Sequence, residues 1–299
     1  MNTEHVVVAD DLTRGALMRA AGYASVMVAL VLIALKLWAY WQTSSVAMLS
    51  SLADSALDFV ASLITFVALR VALMPADKEH RFGHGKSEAV AGVAQAIIIT
   101  GSAVFVAVRA VARILDPAPI EALSIGLSVM TASLVLTIGL VAFQSFVVRR
   151  TGSVAVNADA AHYRADILTN VAVIVALFLS SEFGWLYADP ILGLIVVLLI
   201  LASARTVVQS ALRDLMDHEL PDKDREAIRR IAMNHADVLG VHEMRTRSSG
   251  VEQFVQLHIE LDGILTLRRA HDISDEVEAQ IKSQFPAADV LIHTDPFDG

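Results

Sequence analysis

Residues 50–62 read SSLADSALDFVAS and residues 157–170 read NADAAHYRADILTN, and each lies inside a long apolar stretch. Each also carries two potential metal ligands four residues apart: Asp54 and Asp58 in the first, His162 and Asp166 in the second. In a helix, positions i and i+4 share one face, a single turn apart. Each pair therefore aims two ligand atoms in one direction. An ionised Asp at the centre of a membrane helix costs roughly 2.5–3.5 kcal/mol even on the lenient insertion scale. Two on one helix must face the interior of a bundle. Brought together, the pairs supply three carboxylates and one imidazole. That set suits a tetrahedral Zn²⁺ and is also usable by Fe²⁺, Cd²⁺ or Co²⁺.

Working outward from these segments, the chain has 299 residues, 55% of them hydrophobic and 18% charged, with a mean hydropathy of +0.58. Average soluble domains carry about 25% charged residues. A hydrocarbon core needs about 20 apolar residues per crossing. Six stretches qualify: Met18–Trp41, Val46–Leu73, Ala89–Leu115, Ala122–Val148, Val154–Ser180 and Ala188–Ala211. From Asp214 onward the text becomes charged. The division expected is residues 1–213 in the membrane and 214–299 as a soluble domain.

The net charge of −9 belongs to the tail. Residues 1–213 balance 14 Lys+Arg against 14 Asp+Glu, whereas residues 214–299 carry 9 against 18. Such a tail does not bind nucleic acid or anionic lipid by electrostatics; it attracts cations. The absence of cysteine excludes disulfides and thiolate metal sites. The first residues, MNTEHVVVADD, are acidic and read as no signal peptide. Arg14, Arg19, Arg70, Lys78, Arg81, Lys86, Arg149, Arg150 and Arg213 gather at one set of span ends. The connections 42–45 and 181–189 contain no Lys or Arg. The positive-inside rule then puts both termini and the tail in the cytoplasm, with Arg109 and Arg113 snorkelling.

Other features read more plainly. Lys36, beside Trp38, Tyr40 and Trp41, reads as a lysine snorkelling to the interface. Ser44, Ser45, Ser50, Ser51, Ser55 and Ser62 mark the second span for close helix packing. The fourth, with no ionisable residue between Glu121 and Arg149, reads as a packing helix. The fifth opens with Asn157, Asp159, His162, Tyr163, Arg164 and Asp166, polar enough to line a water-filled cavity. In the tail, Pro221 precedes a helix, and 238–246 and 251–261 form a hairpin around Ser248–Gly250. Residues 266–285 have helical periodicity, and 289–293 form a last strand. The order αββαβ describes a small α+β sandwich of ferredoxin- or metallochaperone-like kind.

The segments SSVAMLSSLADSALD, PADKEHRFGHGKSE, ADAAHYRADILTN and the tail run HEMRTR, QLHIEL, RAH, IHTDP resemble the cation diffusion facilitator family over residues 14–296, in the family's order. The bacterial zinc and ferrous-iron efflux subgroup (YiiP-like) is the most similar. The resemblance implies a homodimer in the cell (inner) membrane that exports Zn²⁺, and also Fe²⁺ or Cd²⁺, in exchange for protons. It implies a second metal site in the loop at Asp77, His80 and His84. It also implies a binuclear zinc site at the tail–tail interface from His242, His258, His293 and a bridging Asp295, with His271 a further ligand. Lys86 looks like the family lysine that pairs with an Asp after span six, here Asp217, to tie the dimer. The chain departs from the pattern at Thr294, where close relatives carry Gln, which leaves the second tail ion's ligands open. His218 and His235 match nothing and read as solvated surface.

Two other classes compete. An intramembrane metalloenzyme would need an HExxH or an open coordination position, and neither is evident. A metal-binding sensor or scaffold without net transport fits the ligands but not so well the complete set of four at membrane depth. With the metal gone, three carboxylates and an imidazole face one another in a poorly solvated pocket, a set that takes up protons. Proton-coupled efflux, with no catalytic step, is the expectation.

Overall fold

The computed structural model describes residues 3–43, 46–115, 124–183, 185 and 187–297. Six long helices come first: α1 (Thr3–Thr43), α2 (Val46–Ala72), α3 (Ser87–Leu115), α4 (Ser124–Thr151), α5 (Val154–Phe183) and α6 (Ala188–Leu215). Among the described residues, α1, α2, α3, α4 and α6 hold stretches long and apolar enough to cross a membrane. The 30 residues of α5 reach about 45 Å at helical rise, but its first half carries the polar run. Every expected span falls on a helix. Ser44, Ser45 and the Ala122 start of the fourth span lie outside the described residues. α1 begins far upstream of Met18.

Local chemistry sets the α4–α5 corner. Gly152 adopts φ +71° and its N–H reaches Val148 O at 2.8 Å, ending α4 in a left-handed turn that glycine alone enters without cost. Ser153 Oγ then accepts from the Val156 N–H at 3.3 Å, capping α5. A two-residue link leaves the helices as antiparallel neighbours.

Alanine dominates the interior of the bundle. Ala96, Ala103, Ala158, Ala161, Ala165 and Ala204 pack with Ile99, Ile200 and Val207, all buried. Lipid tails are as apolar as leucine, so helices associate in a bilayer by close van der Waals approach, which small residues permit. Larger apolar side chains such as Ile97, Val108 and Leu198 stay exposed. α4 is more than a packing helix. Its Gln144 is fully buried and donates to Asp159 Oδ2 at 2.6 Å, and Ser133 and Thr137 are buried too. Neutral amides and hydroxyls escape a search for ionisable residues.

The N-terminal residues up to Gly15 and residues 74–86 form one compact unit with the chain from Arg213 onward, and residues 16–73 and 87–212 form another. The first contains α7 (Asp222–Met233), β1 (Gly240–Ser249), β2 (Glu252–Leu261), α8 (Leu267–Gln284) and β3 (Ala288–Pro296). This is the αββαβ order expected. The sheet runs β1-β2-β3, with the first pair antiparallel and the second parallel. α7 starts directly after Pro221 with Asp222 and Asp224 in its first turn, and Thr266 Oγ1 caps α8 by accepting from the Arg269 N–H at 3.3 Å. Alternation in β2 sends Val255, Leu257, Ile259 and Leu261 into a core with Ile228, Ile231, Ile273, Val277 and Ile281. Ile273→Ala should cost about 2–5 kcal/mol, read as faster hydrogen exchange of the β2 amides in the full chain.

The 74–86 segment docks on the hairpin. The Arg247 guanidinium stacks 4.8 Å from the Phe82 ring and 4.5 Å from that of Phe254, and the two rings meet edge-on at 5.5 Å. Lys86 Nζ lies 3.0 Å from Asp217 Oδ1, and Arg247 Nη1 is 3.1 Å from the same atom. The Lys86–Asp217 pair thus forms within one chain. Burial works against ionised Asp217, but the hydrogen bonds and charges of Lys86 and Arg247 outweigh it and hold the carboxyl below its ordinary range.

His235 is not a solvated surface residue. Its side chain is 8% exposed and Nε2 lies 2.8 Å from Glu276 Oε2. Arg269 then joins Glu276 at 3.0 Å to Asp237 at 2.6 Å. The partner comes from α8, distant in sequence, which is why spacing does not reveal it. His218 is exposed, as expected.

Candidate metal centres

Three groups of ligand atoms converge. In the bundle, Asp58 of α2 meets His162 and Asp166 of α5, with ligand atoms within 4.8 Å of one another. His162 Nε2 is 3.2 Å from Asp58 Oδ1 and 4.0 Å from Asp166 Oδ2. The i, i+4 geometry of α5 puts His162 and Asp166 on one face, and the fully buried Ser62 of α2 faces α5. The Tyr163 hydroxyl is 2.8 Å from Ser62 Oγ and helps join the two helices. Asp54 stands one turn from Asp58 and is not in the three-residue group, but it lines the same cavity of about 410 Å³. Asp166 Oδ2 is buried without a hydrogen-bond partner. A buried carboxylate oxygen left without a donor suits a cation partner.

Asp159, one turn before His162, has a different role. It is fully buried and accepts from Ser25 Oγ and Gln144 Nε2, both at 2.6 Å, and from Gln95 Nε2 at 3.4 Å. Donors from α1, α4 and α3 thus meet on one α5 side chain. Its oxygens are committed, so it is no ligand.

Asp77, His80 and His84 form the second group. Asp77 Oδ1 lies 3.4 Å from His80 Nδ1, Asp77 Oδ2 lies 3.4 Å from His84 Nε2, and the rings are 4.6 Å apart. The backbone N–H groups of His80 (2.7 Å) and Glu79 (2.9 Å) donate to Asp77 Oδ1. The His80 bond leads in holding this carboxyl below its ordinary range. A carboxylate kept ionised beside two imidazoles is ready for a divalent cation.

Strand register builds the third. His242 lies directly opposite His258, and His258 opposite His293, so three imidazoles form a row across the sheet, with ring centroids 5.2 and 4.6 Å apart. Asp295 Oδ2 is 2.8 Å from His258 Nδ1 and 3.4 Å from His242 Nε2, and its Oδ1 is 3.2 Å from His293 Nε2. The His258 hydrogen bond leads in holding the Asp295 carboxyl below its ordinary range. Thr294 pairs with buried Ile259 and so belongs to the other face. His271 lies on α8, 3.5 Å from Asp275, outside this group.

Two carboxylates beside this row escape sequence reasoning. Glu260 Oε1 is 3.6 Å from His242, and Glu243 Oε2 is 3.9 Å from His258. Glu243 sits in a bulge at φ +45°, a left-handed conformation that non-glycine residues seldom adopt. Glu260 was discoverable, since it lies two residues from His258 on the same strand face.

A family model of the cation efflux transmembrane domain matches residues 23–216, and one of the cation efflux protein cytoplasmic domain matches residues 220–297. The chain is 43% identical to the cation-efflux pump FieF of Pectobacterium atrosepticum over 276 residues, 92% of each chain. It is 42% identical to protein p34 of Rickettsia rickettsii, over 96% of this chain and 95% of that one. It is also 43% identical to the FieF of Cronobacter sakazakii over 94% of each. A solved CzrB structure is 30% identical, covering 26% of this chain and 98% of its own, with a TM-score of 0.26. With both halves matched in order and relatives aligned over almost the whole length, the chain belongs to the cation efflux family of multi-pass membrane transporters.

Proposed function

We propose that this transporter exports divalent metal ions from the cytoplasm in exchange for protons, with Zn²⁺ the leading substrate and Fe²⁺ and Cd²⁺ accepted. The observation that carries the reading is the convergence of Asp58, His162 and Asp166 beside a cavity that Asp54 also lines. Four oxygen and nitrogen ligands on two packed helices match the coordination number of Zn²⁺. When the ion leaves, the cluster is an unbalanced group of acids that protons neutralise. Exchange follows from one site serving two kinds of cation. No bond of a substrate is made or broken, so the protein is a secondary transporter, not an enzyme.

In this reading, residues 1–213 are the transport domain and 214–299 a cytoplasmic domain that holds a homodimer. Both termini lie in the cytoplasm and the bilayer is the cell (inner) membrane. Support comes from the basic residues at one set of span ends and the acidic tail. Asp77, His80 and His84 form a loop site. His242, His258, His293 and Asp295 form a tail site, with His271 a further ligand and Zn²⁺ resident.

The test is exchange in proteoliposomes. An inward-directed Zn²⁺ gradient should alkalinise the lumen, reported by a trapped pH dye, and an imposed proton gradient should drive Zn²⁺ uptake uphill. Zn²⁺ binding with neither flux would leave the scaffold reading in its place.

A further inference from the structure

Lys36 does not snorkel. Its Nζ donates to Ser55 Oγ at 2.6 Å and to Ser51 O at 3.2 Å, so the ammonium lies against α2 within the turns that carry Asp54 and Asp58. Lys36 lines the cavity with Asp54, Asp58, His162 and Asp166, and is the only Lys or Arg among the described residues that do. It lies within electrostatic reach of all three carboxylates.

Two hydrogen bonds do not explain this choice. A neutral amide could donate the same bonds to Ser55 and Ser51 without bringing a charge into the bundle, where charge is costly. The charge must act on something. What faces it is a cluster of three acids that is most unbalanced when no metal is bound. A fixed ammonium offsets part of that imbalance and repels an arriving divalent ion.

We propose that Lys36 is a tethered counter-cation of the transport site, which weakens metal binding and so speeds metal release. This inference rests on the reading of Asp54, Asp58, His162 and Asp166 as that site. Lys36 is a positioning residue: it sets how strongly the ligands hold the ion without coordinating it. A transporter needs such a limit, because an ion held too tightly does not leave.

The test compares the full-length parent with Lys36→Met, Lys36→Gln, Lys36→Arg and Asp58→Ala. Each protein carries Asp77→Ala and Asp295→Ala to silence loop and tail binding. Zn²⁺ affinity is read by competition with a fluorescent chelator, and turnover by flux in proteoliposomes. Removing one positive charge should tighten Zn²⁺ binding at least about tenfold and lower the maximal rate, while Lys36→Arg keeps the parent's affinity. A residue that merely fastens α1 to α2 would, on removal, weaken binding or leave it unchanged. That outcome in whichever of the Met and Gln variants is monodisperse overturns the proposal. Unaltered Zn²⁺ binding in Asp58→Ala would overturn the site reading itself, and the Lys36 inference with it.

Discussion

Asp58→Ala should lower Zn²⁺/H⁺ exchange by at least about 100-fold, since even outer partners of a metal site are commonly worth 10–100-fold. Asp58 is the α2 member of the cluster, 3.2 Å from His162. Without it, His162 and Asp166 remain on α5, with Asp54 one turn away from the vacated position. The remaining set cannot close around a tetrahedral ion. Folding should persist, because no helix contact besides that to His162 rests on this carboxylate among the hydrogen bonds described. Stopped-flow flux in proteoliposomes, beside size-exclusion chromatography, separates the two effects. Exchange at the parent's rate would remove Asp58 from the site.

Gly85→Ala should release the 74–86 segment from the tail. A Cβ built at Gly85 would sit 2.1 Å from Ser249 O, 2.5 Å from its carbonyl carbon and 2.9 Å from Gly250 N. All three are backbone atoms of the hairpin and cannot rotate away. The segment has to lift, and with it go the Phe82–Arg247–Phe254 stack and the Lys86–Asp217 pair. Cleavage by trypsin at exposed Lys78 and Arg81 tracks the opened population, so it should accelerate at least about tenfold. Gly139→Ala is the matched control, since a Cβ there meets nothing within 4 Å. Equal cleavage of the two variants would show that close approach at Gly85 does not hold the segment.

What could be read beforehand divides by the range of the interaction. Helical spans and the His162–Asp166 pairing follow from a period of 3.6 residues, which is local. The αββαβ order is local as well, written in Pro221, in Gly250 and in the alternation of β2. The direction of Lys36 is not local. It depends on Ser51 and Ser55 of another helix, and a lone lysine near Trp38 and Trp41 looks the same whether it turns inward or outward. The polar role of Gln144 and the burial of His235 stay hidden for the same reason, since their partners Asp159 and Glu276 lie on α5 and α8. The tail histidines are the extreme case. Spacing within each strand says nothing of them, and the resemblance alone suggested that His242, His258, His293 and Asp295 act together. Glu243, in its bulge, lay beyond both, whereas Glu260 follows from alternation along β2 once His258 is placed in the row.

The row His242–His258–His293 exists because three strands are paired in one register. Successive strand residues alternate between faces. Inserting one residue into β2 ahead of Leu257, with the upstream pairing kept, would turn His258 toward the helices and bring Leu257 out to water. Core and ligand row would be lost in the same event. Two inserted residues would preserve the faces and only displace the row along the strand. Unless a bulge absorbs the extra residue, as at Glu243 in β1, lineages that inherit this tail can vary the length of β2 only in steps of two or place length changes in the hairpin turn at Gly250. The histidine row and the foldability of the sheet are inherited together.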